Sequence, residues 1–152
     1  MSQTTDDLAR LAEDIGAHFE RLGLSRTAGR VLGVLAVAPG PRSTTELIAA
    51  LGVAKSSMSV ALATLTRYGL VLREPVGARG DAYRLADDAF ESVFAGKVAE
   101  LAVFPDLADR GLDLTDDPDV RRRLTRIRDY YRFLLREFPR LLQRWDEERV
   151  ED

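Results

Sequence analysis

A chain of 152 residues with 45% apolar content has room for one domain, or one domain plus an oligomerisation element, and no stretch is apolar for long enough to span a membrane. It has no cysteine and a single histidine, which excludes disulfides, thiolate chemistry, His-based metal clusters and a Ser–His–Asp triad. The net charge of −3 excludes an indiscriminate polyanion binder, yet it is unevenly spread: residues 41–85 carry +3 and the remainder −6.

In chain order, the apolar spacing predicts a first helix over Thr5–Leu22, with Leu8, Leu11, Ile15 and Leu22 on one face and His18 as a packing residue of that face. A second, more apolar helix follows over Thr27–Val37. Its Gly29-x-x-x-Gly33 pattern reads as close packing of one helix on another, because Arg30 lies inside it and no long apolar run surrounds it. Arg26 and Arg30 fit either a nucleic-acid contact or a structural ion pair. The run Ala38-Pro39-Gly40-Pro41 ends the helix.

Residues Ser43–Ala86 read as a helix-turn-helix followed by a hairpin. Ser43-Thr44-Thr45-Glu46 has the form of a capping box, Leu47, Ile48 and Leu51 give a short apolar stripe, and Gly52 supplies a left-handed turn. The next helix spans Lys55–Tyr68, with Met58, Leu62 and Leu65 facing inward and Gly69 as its stop. Ala54 precedes it without a side-chain acceptor, so its start is expected to lean on Ser56 or Ser57. Lys55, Ser56, Ser57 and Ser59 crowd that start, where amides, hydroxyls and an ammonium can meet phosphates and base edges. Thr64 and Arg67 follow on its outer side. Strands over Leu70–Glu74 and Ala82–Leu85 flank a Gly-rich turn at Val76–Asp81, whose Arg79 is placed to enter a minor groove. Arg79-Gly80-Asp81 also spells a cell-adhesion tripeptide, which is read as chance.

Asp87 is the expected N-cap of a helix reaching Arg110, kinked near Pro105 and ended by Gly111. Asp113, Asp116, Asp117 and Asp119 lack the full spacing and closing Glu of a calcium loop. Asp117-Pro118 opens the last helix. Val120, Leu124, Ile127, Tyr131, Leu134, Phe138, Leu141 and Trp145 alternate steps of four and three, which is an a/d seam. Pro139 predicts a kink or a restart. Arg121, Arg122, Arg123, Arg126 and Arg128 lie among acids and read as a solvated face. A seam this long, with Tyr130, Leu135 and Leu142 beside it, asks for a partner subunit, built from the first and last helices.

Three segments carry a family resemblance: Gly23-Leu24-Ser25-Arg26-Thr27-Ala28-Gly29-Arg30-Val31, Leu51-Gly52-Val53-Ala54-Lys55-Ser56-Ser57-Met58-Ser59, and Gly69-Leu70-Val71 with Arg79 and Tyr83. In their order and spacing the chain resembles the MarR family of winged-helix regulators, in its GbsR-like branch. Two positions depart from that pattern: Ala54 stands where a capping Ser is usual, and Val60 where relatives often carry a polar or basic residue. The resemblance implies a repressor relieved by a small effector. GbsR-like regulators include a choline sensor, so Phe104, Tyr130, Tyr131 and Phe138 are candidates for a cage around a quaternary ammonium or aromatic effector, against the plainer reading of dimer core.

These readings combine into a mainly α chain with a small β-hairpin wing. Residues 1–40 would support and dimerise, 41–86 would bind DNA, and 87–152 would dimerise and receive an effector. Candidate DNA-binding residues are Arg42, Lys55, Ser56, Ser57, Ser59, Val60, Thr64, Arg67, Arg73 and Arg79. Candidate dimer residues are Leu8, Leu11, Ile15, Ile127, Leu134, Phe138, Leu141 and Trp145. The expected partners are double-stranded DNA and a second copy of the chain, at a pseudo-palindromic site, with no cofactor, metal or membrane. Met1–Asp7 lacks the basic start of a secretory signal, so the expected location is the cytoplasm. An enzyme is disfavoured, because no group of residues combines a base, a nucleophile and an oxyanion donor. The remaining alternative is a helical interaction module whose winged helix does not bind DNA, for which Val60 and the negative net charge speak.

Overall fold

The structure, a computed structural model, describes residues 2–77 and 80–150. They fall into two compact units, Met1–Ser92 and Val93–Asp152.

The first unit begins with two helices whose backbones touch. In α1 (Ser2–Arg21) and α2 (Arg26–Val37), a Cβ on Gly29 would stand 2.6 Å from the Gly16 carbonyl oxygen, and one on Gly33 would stand 2.0 Å from that of Ala12. The glycines therefore set the crossing. The contact also fixes which face of α1 is buried within the chain; it leaves the expected dimer face of Leu8 and Leu11 open and overturns the packing role expected of His18. Ala12, Gly16 and Phe19 pack inward, whereas His18 is exposed, Leu8 and Leu11 are exposed, and Ile15 is half-buried. Small residues permit the closest approach, so they claim the crossing and turn the leucines outward. Ser25 caps α2 by accepting from the Ala28 amide, 3.2 Å.

The capping box at α3 (Thr44–Leu51) forms in both directions. Ser43 Oγ accepts from the Glu46 amide at 3.1 Å, and Glu46 Oε2 accepts from the Ser43 amide at 2.7 Å. Gly52 closes α3 at φ 62°, and a sharp turn leads into α4 (Lys55–Arg67). Ala54 is the N-cap of α4, and Ser56 and Ser57 lie exposed inside its first turn; neither supplies the cap expected of them. The α4 start thus keeps free amides, a weak end that the buried Met58, Leu62 and Leu65 offset by anchoring the opposite face.

Two strands of the sheet agree with the expected hairpin within one residue: β2 (Val71–Pro75) pairs antiparallel with β3 (Asp81–Leu85), Arg73 opposite Tyr83. A third was not anticipated. β1 (Arg42–Ser43) pairs with the other edge of β3, Arg42 opposite Tyr83, giving the order β1-β3-β2. This strand ties the start of α3 to the wing. Val31, Leu32, Leu47, Met58, Leu65 and Val71 are fully buried between α2, α3, α4 and the sheet. Each such side chain stabilises the fold by about 1.5–3 kcal/mol.

One long helix was expected over Asp87–Arg110. There are two: α5 (Ala89–Glu100), which straddles the boundary between the units, and α6 (Val103–Leu112). The break falls at Leu101–Ala102, where amides bond three residues back to Val98 and Ala99. Pro105 sits in the first turn of α6, where its missing N–H removes no intrahelical bond, so it restarts a helix instead of kinking one. Asp87 lies before α5 with its carboxylate 3.7 Å from Arg84. Gly111 lies inside α6, where an added Cβ would meet Leu124 at 2.8 Å, so its role is contact and not termination.

In the second unit α6 packs on α7 (Pro118–Val150), through Phe104 stacked on Tyr131 and Asp109 bridged by Arg128 and Arg132. Asp117 caps α7 as predicted, accepting from the Asp119 and Val120 amides at 3.0 and 2.9 Å. The helix runs through Pro139 as one element, without the restart. Among the described residues of α7 none is buried, including every position of its seam.

Candidate nucleic-acid interface

Three-and-four spacing divides α4 into an inner and an outer face. Met58, Ala61, Leu62 and Leu65 are buried. Ser56, Val60, Ala63 and Arg67, spaced four, three and four, form the outward ridge, with Lys55 exposed at its start. An open concavity lies on each side of this ridge. One, about 440 Å³, is lined by Thr44, Ser59, Thr66, Arg67, Arg73 and Tyr83, together with Leu62 and Ala63. The other, about 350 Å³, is lined by Ser25, Thr27, Ser56, Ser57, Val60 and Ala61. A protruding helix between two hydroxyl-lined hollows, one of them also lined by Arg67 and Arg73, matches the relief of a major groove between its two phosphate backbones.

Electrostatics concentrate the charge on that ridge. Each carboxylate between residues 41 and 85 is committed to an arginine: Glu46 to Arg42 at 4.0 Å, Asp81 to Arg73, and Glu74 to Arg84. The hydrogen bond that Arg73 donates to the Asp81 carboxylate pushes the guanidinium pKa up. Among the described residues Lys55 and Arg67 carry no ion pair, and the Arg67 guanidinium stands 5.3 Å from the centre of the Tyr68 ring.

The candidates read from the sequence separate accordingly. Lys55, Ser56, Ser57, Ser59, Val60 and Arg67 come together on α4 or its flanking hollows, and Arg73 joins them from β2. Thr64 is half-buried and lines neither hollow. Arg42 lies half-buried on another side, in a groove with Leu8, Val37 and Glu46. Arg79 lies outside the described residues, although Gly77 and Gly80 on either side have φ 53° and 93°. Arg30 takes the structural option: it grips Glu13 at 2.9 Å and the Leu51 carbonyl at 3.0 Å, fastening α1, α2 and α3. The sequence reading missed Ser25, Thr27, Thr44, Ala63, Thr66 and Tyr83 as lining residues. Ala63 and Thr66 were available from the periodicity of α4, but the others arrive from distant segments.

Two family profiles match, and together they span most of the chain: the MarR family over residues 22–80, and MmpR5-like MarR family transcriptional regulators over residues 88–148. The HTH-type transcriptional regulator MmpR5 of Mycobacterium tuberculosis is 33% identical over 150 residues, covering 96% of this chain and 91% of that protein. The chain belongs to the MarR family. A crystal structure described as a transcriptional regulator is 34% identical, with a TM-score of 0.72 over 93% of this chain and 99% of its own. The MarR match contains α4 and nearly all of the residues around its two hollows. This MarR-family protein is thus a DNA-binding transcriptional regulator, and its relatives are regulators and not enzymes. Among the described residues no single helix is long and apolar enough to cross a membrane; α3 and α4 pass such a test only as a pair bent by 117°, which is the helix-turn-helix itself.

The aromatic candidates of the second unit divide into two groups. Phe104 stacks on Tyr131 with centroids 4.5 Å apart, and Tyr130 meets Tyr131 edge-on at 5.3 Å. Phe138 pairs instead with Phe94 at 5.2 Å.

Proposed function

We propose that this protein is an effector-responsive repressor that binds a pseudo-palindromic operator as a homodimer. Each subunit lays α4 in a major groove and the Arg79 wing beside it. The observation that carries this reading is the outward ridge of α4 between two polar hollows, with Lys55 and Arg67 as its unpaired cations. The Ser59, Thr66 and Arg73 side would meet one backbone, and the Ser25, Thr27 and Ser57 side the other.

Dimerisation is supported by α7. A 33-residue helix is about 50 Å long, and although Leu124, Tyr131 and Phe138 of its apolar seam meet neighbours, Ile127, Leu141 and Trp145 stay exposed. Leu8 and Leu11 on α1 are likewise turned outward. Two copies that share these faces would bury them and set two α4 helices at one operator. An effector would meet aromatic rings of the second unit, with Phe104, Tyr130 and Tyr131 as one candidate wall and Phe138 as another. The GbsR-like placement within the family rests on the segments 23–31, 51–59 and 69–71. A regulator of this kind works where the chromosome is, in the cytoplasm.

The test is fluorescence anisotropy of a labelled random duplex and of genomic fragments recovered with the protein, titrated from 50 to 300 mM salt. The expected result is binding that weakens steeply with salt, and a recovered fragment that binds at least about a thousandfold more tightly than random duplex. Absence of binding at low salt would favour the interaction-module reading.

A further inference from the structure

The outward ridge of α4 is polar at its ends and apolar in its middle. Ser56 and Arg67 bracket Val60 and Ala63, and Val60 is 68% exposed with no neighbour covering it. An isolated exposed valine would be ordinary. This one stands at the crest of the face that meets the base edges if α4 occupies the major groove, so the inference rests on that reading. Most of the donor and acceptor atoms in the groove lose water when a helix closes over them. Opposite a valine they gain no partner, which disfavours guanine O6 and N7, cytosine N4 and adenine N6 there. The one base feature in the major groove that matches an aliphatic side chain is the C5-methyl group of thymine. Ala63 lies about 4.5 Å further along the axis, close to one base step, and extends the same apolar strip.

We infer that Val60, backed by Ala63, is a specificity-determining residue that selects thymine at the centre of each half-site by contact with its 5-methyl group. The departure from polar or basic residues at position 60 then becomes a change in the base that is read, with affinity supplied by the ring of hydroxyls and arginines around it.

The experiment begins with selection of the full-length protein on a randomised duplex library. The best-bound duplex is resynthesised with deoxyuridine in place of each thymidine in turn, which deletes one methyl group and leaves every hydrogen-bonding atom in place. For the wild type, one thymine per half-site should be sensitive, with affinity falling about fourfold per methyl removed. For Val60→Ser the ratio of affinities for the thymidine and deoxyuridine duplexes at that position should fall to about one, and its exposed position leaves the core intact. A melting curve that matches the wild type confirms the fold. Salt-dependent binding in which deoxyuridine is neutral at every thymine overturns the inference and leaves the DNA-binding reading standing. The same holds if Val60→Ser keeps the wild-type sensitivity. Failure to bind any duplex at low salt overturns both.

Discussion

The contact between α1 and α2 makes a prediction whose sign is set by geometry. Alanine normally stabilises a helix interior relative to glycine by about 1 kcal/mol. At Gly33 the new Cβ would stand 2.0 Å from the Ala12 carbonyl oxygen, a backbone atom that cannot swing aside. The helices must part by at least 1 Å merely to reach 3.0 Å, and the whole crossing at Gly16 and Gly29 moves with them. Overpacking of this kind costs about 1–3 kcal/mol, and displacement of rigid backbone belongs at the upper end. Against the helix gain, Gly33→Ala should therefore destabilise the protein by about 2 kcal/mol and lower its melting temperature by about 4–8 °C. Gly96→Ala in α5 is the matched control, since nothing lies within 4 Å of its added Cβ. It should gain up to about 1 kcal/mol and melt slightly higher. Differential scanning calorimetry of both variants gives the answer. A Gly33→Ala protein that melts at or above the wild type would refute the tight crossing, and with it the reason that Leu8 and Leu11 face outward.

Arg67→Ala should weaken binding to cognate and random duplexes alike and reduce the slope of log affinity against log salt by about one, as loss of one phosphate contact does; an unchanged slope would remove Arg67 from the interface. The hydrogen bond from Arg30 holds the Glu13 carboxyl below its usual range, so its contribution is present above the unfolded value near 4.3 and is lost as pH falls through the lowered folded value. Glu13→Gln should accordingly show a shallower loss of stability in acid than the wild type. At pH 7 the two should differ by under about 1 kcal/mol because the pair is solvated, and parallel acid limbs would contradict the assignment. If the proposed dimer forms through the α7 seam, replacing Leu134 and Phe138 together with Asp should give monomer in light scattering and abolish operator binding, by placing unpaired charge in the seam; a folded dimer would move the interface elsewhere.

What was legible in the sequence was what is chemically local. The capping box at Ser43 and Glu46, the left-handed Gly52, the inward trio on α4 and the Asp117 cap each depend on residues within about one turn, so spacing alone reveals them. Features made by distant partners were not legible. β1 is two residues long and exists because β3 offers it an edge, so no alternation could announce it. The buried face of α1 is marked by Ala12 and Gly16, which carry little hydrophobic signal, so the spacing shows the outward leucines and not the helix crossing. The break at Leu101–Ala102 has no glycine or proline in it, and the nearest breaker, Pro105, lies downstream inside α6. Likewise, the spacing of α4 marks it as the candidate reading helix, but the hollow formed with Ser25 and Thr27 needs the folded chain to bring residues some thirty positions apart to one surface.

The charge of the chain follows the same logic. A net charge of −3 looks unsuited to DNA until the pairs are placed. Glu46, Glu74 and Asp81 are spent on Arg42, Arg84 and Arg73, which fasten the capping box and the two long strands of the sheet. Their neutralisation takes three acids out of the field near the ridge, where Lys55 and Arg67 stay uncommitted. Arg73 is the intermediate case. It lines the hollow beside α4, so a phosphate there would compete with Asp81 for its guanidinium, and it should count for less than one full contact in the salt slope. The acidic remainder of the chain opposes contact with DNA in any other orientation. Few free cations on one crest, with repulsion elsewhere, make non-specific binding weak, and that places the weight of recognition on what the crest itself can read.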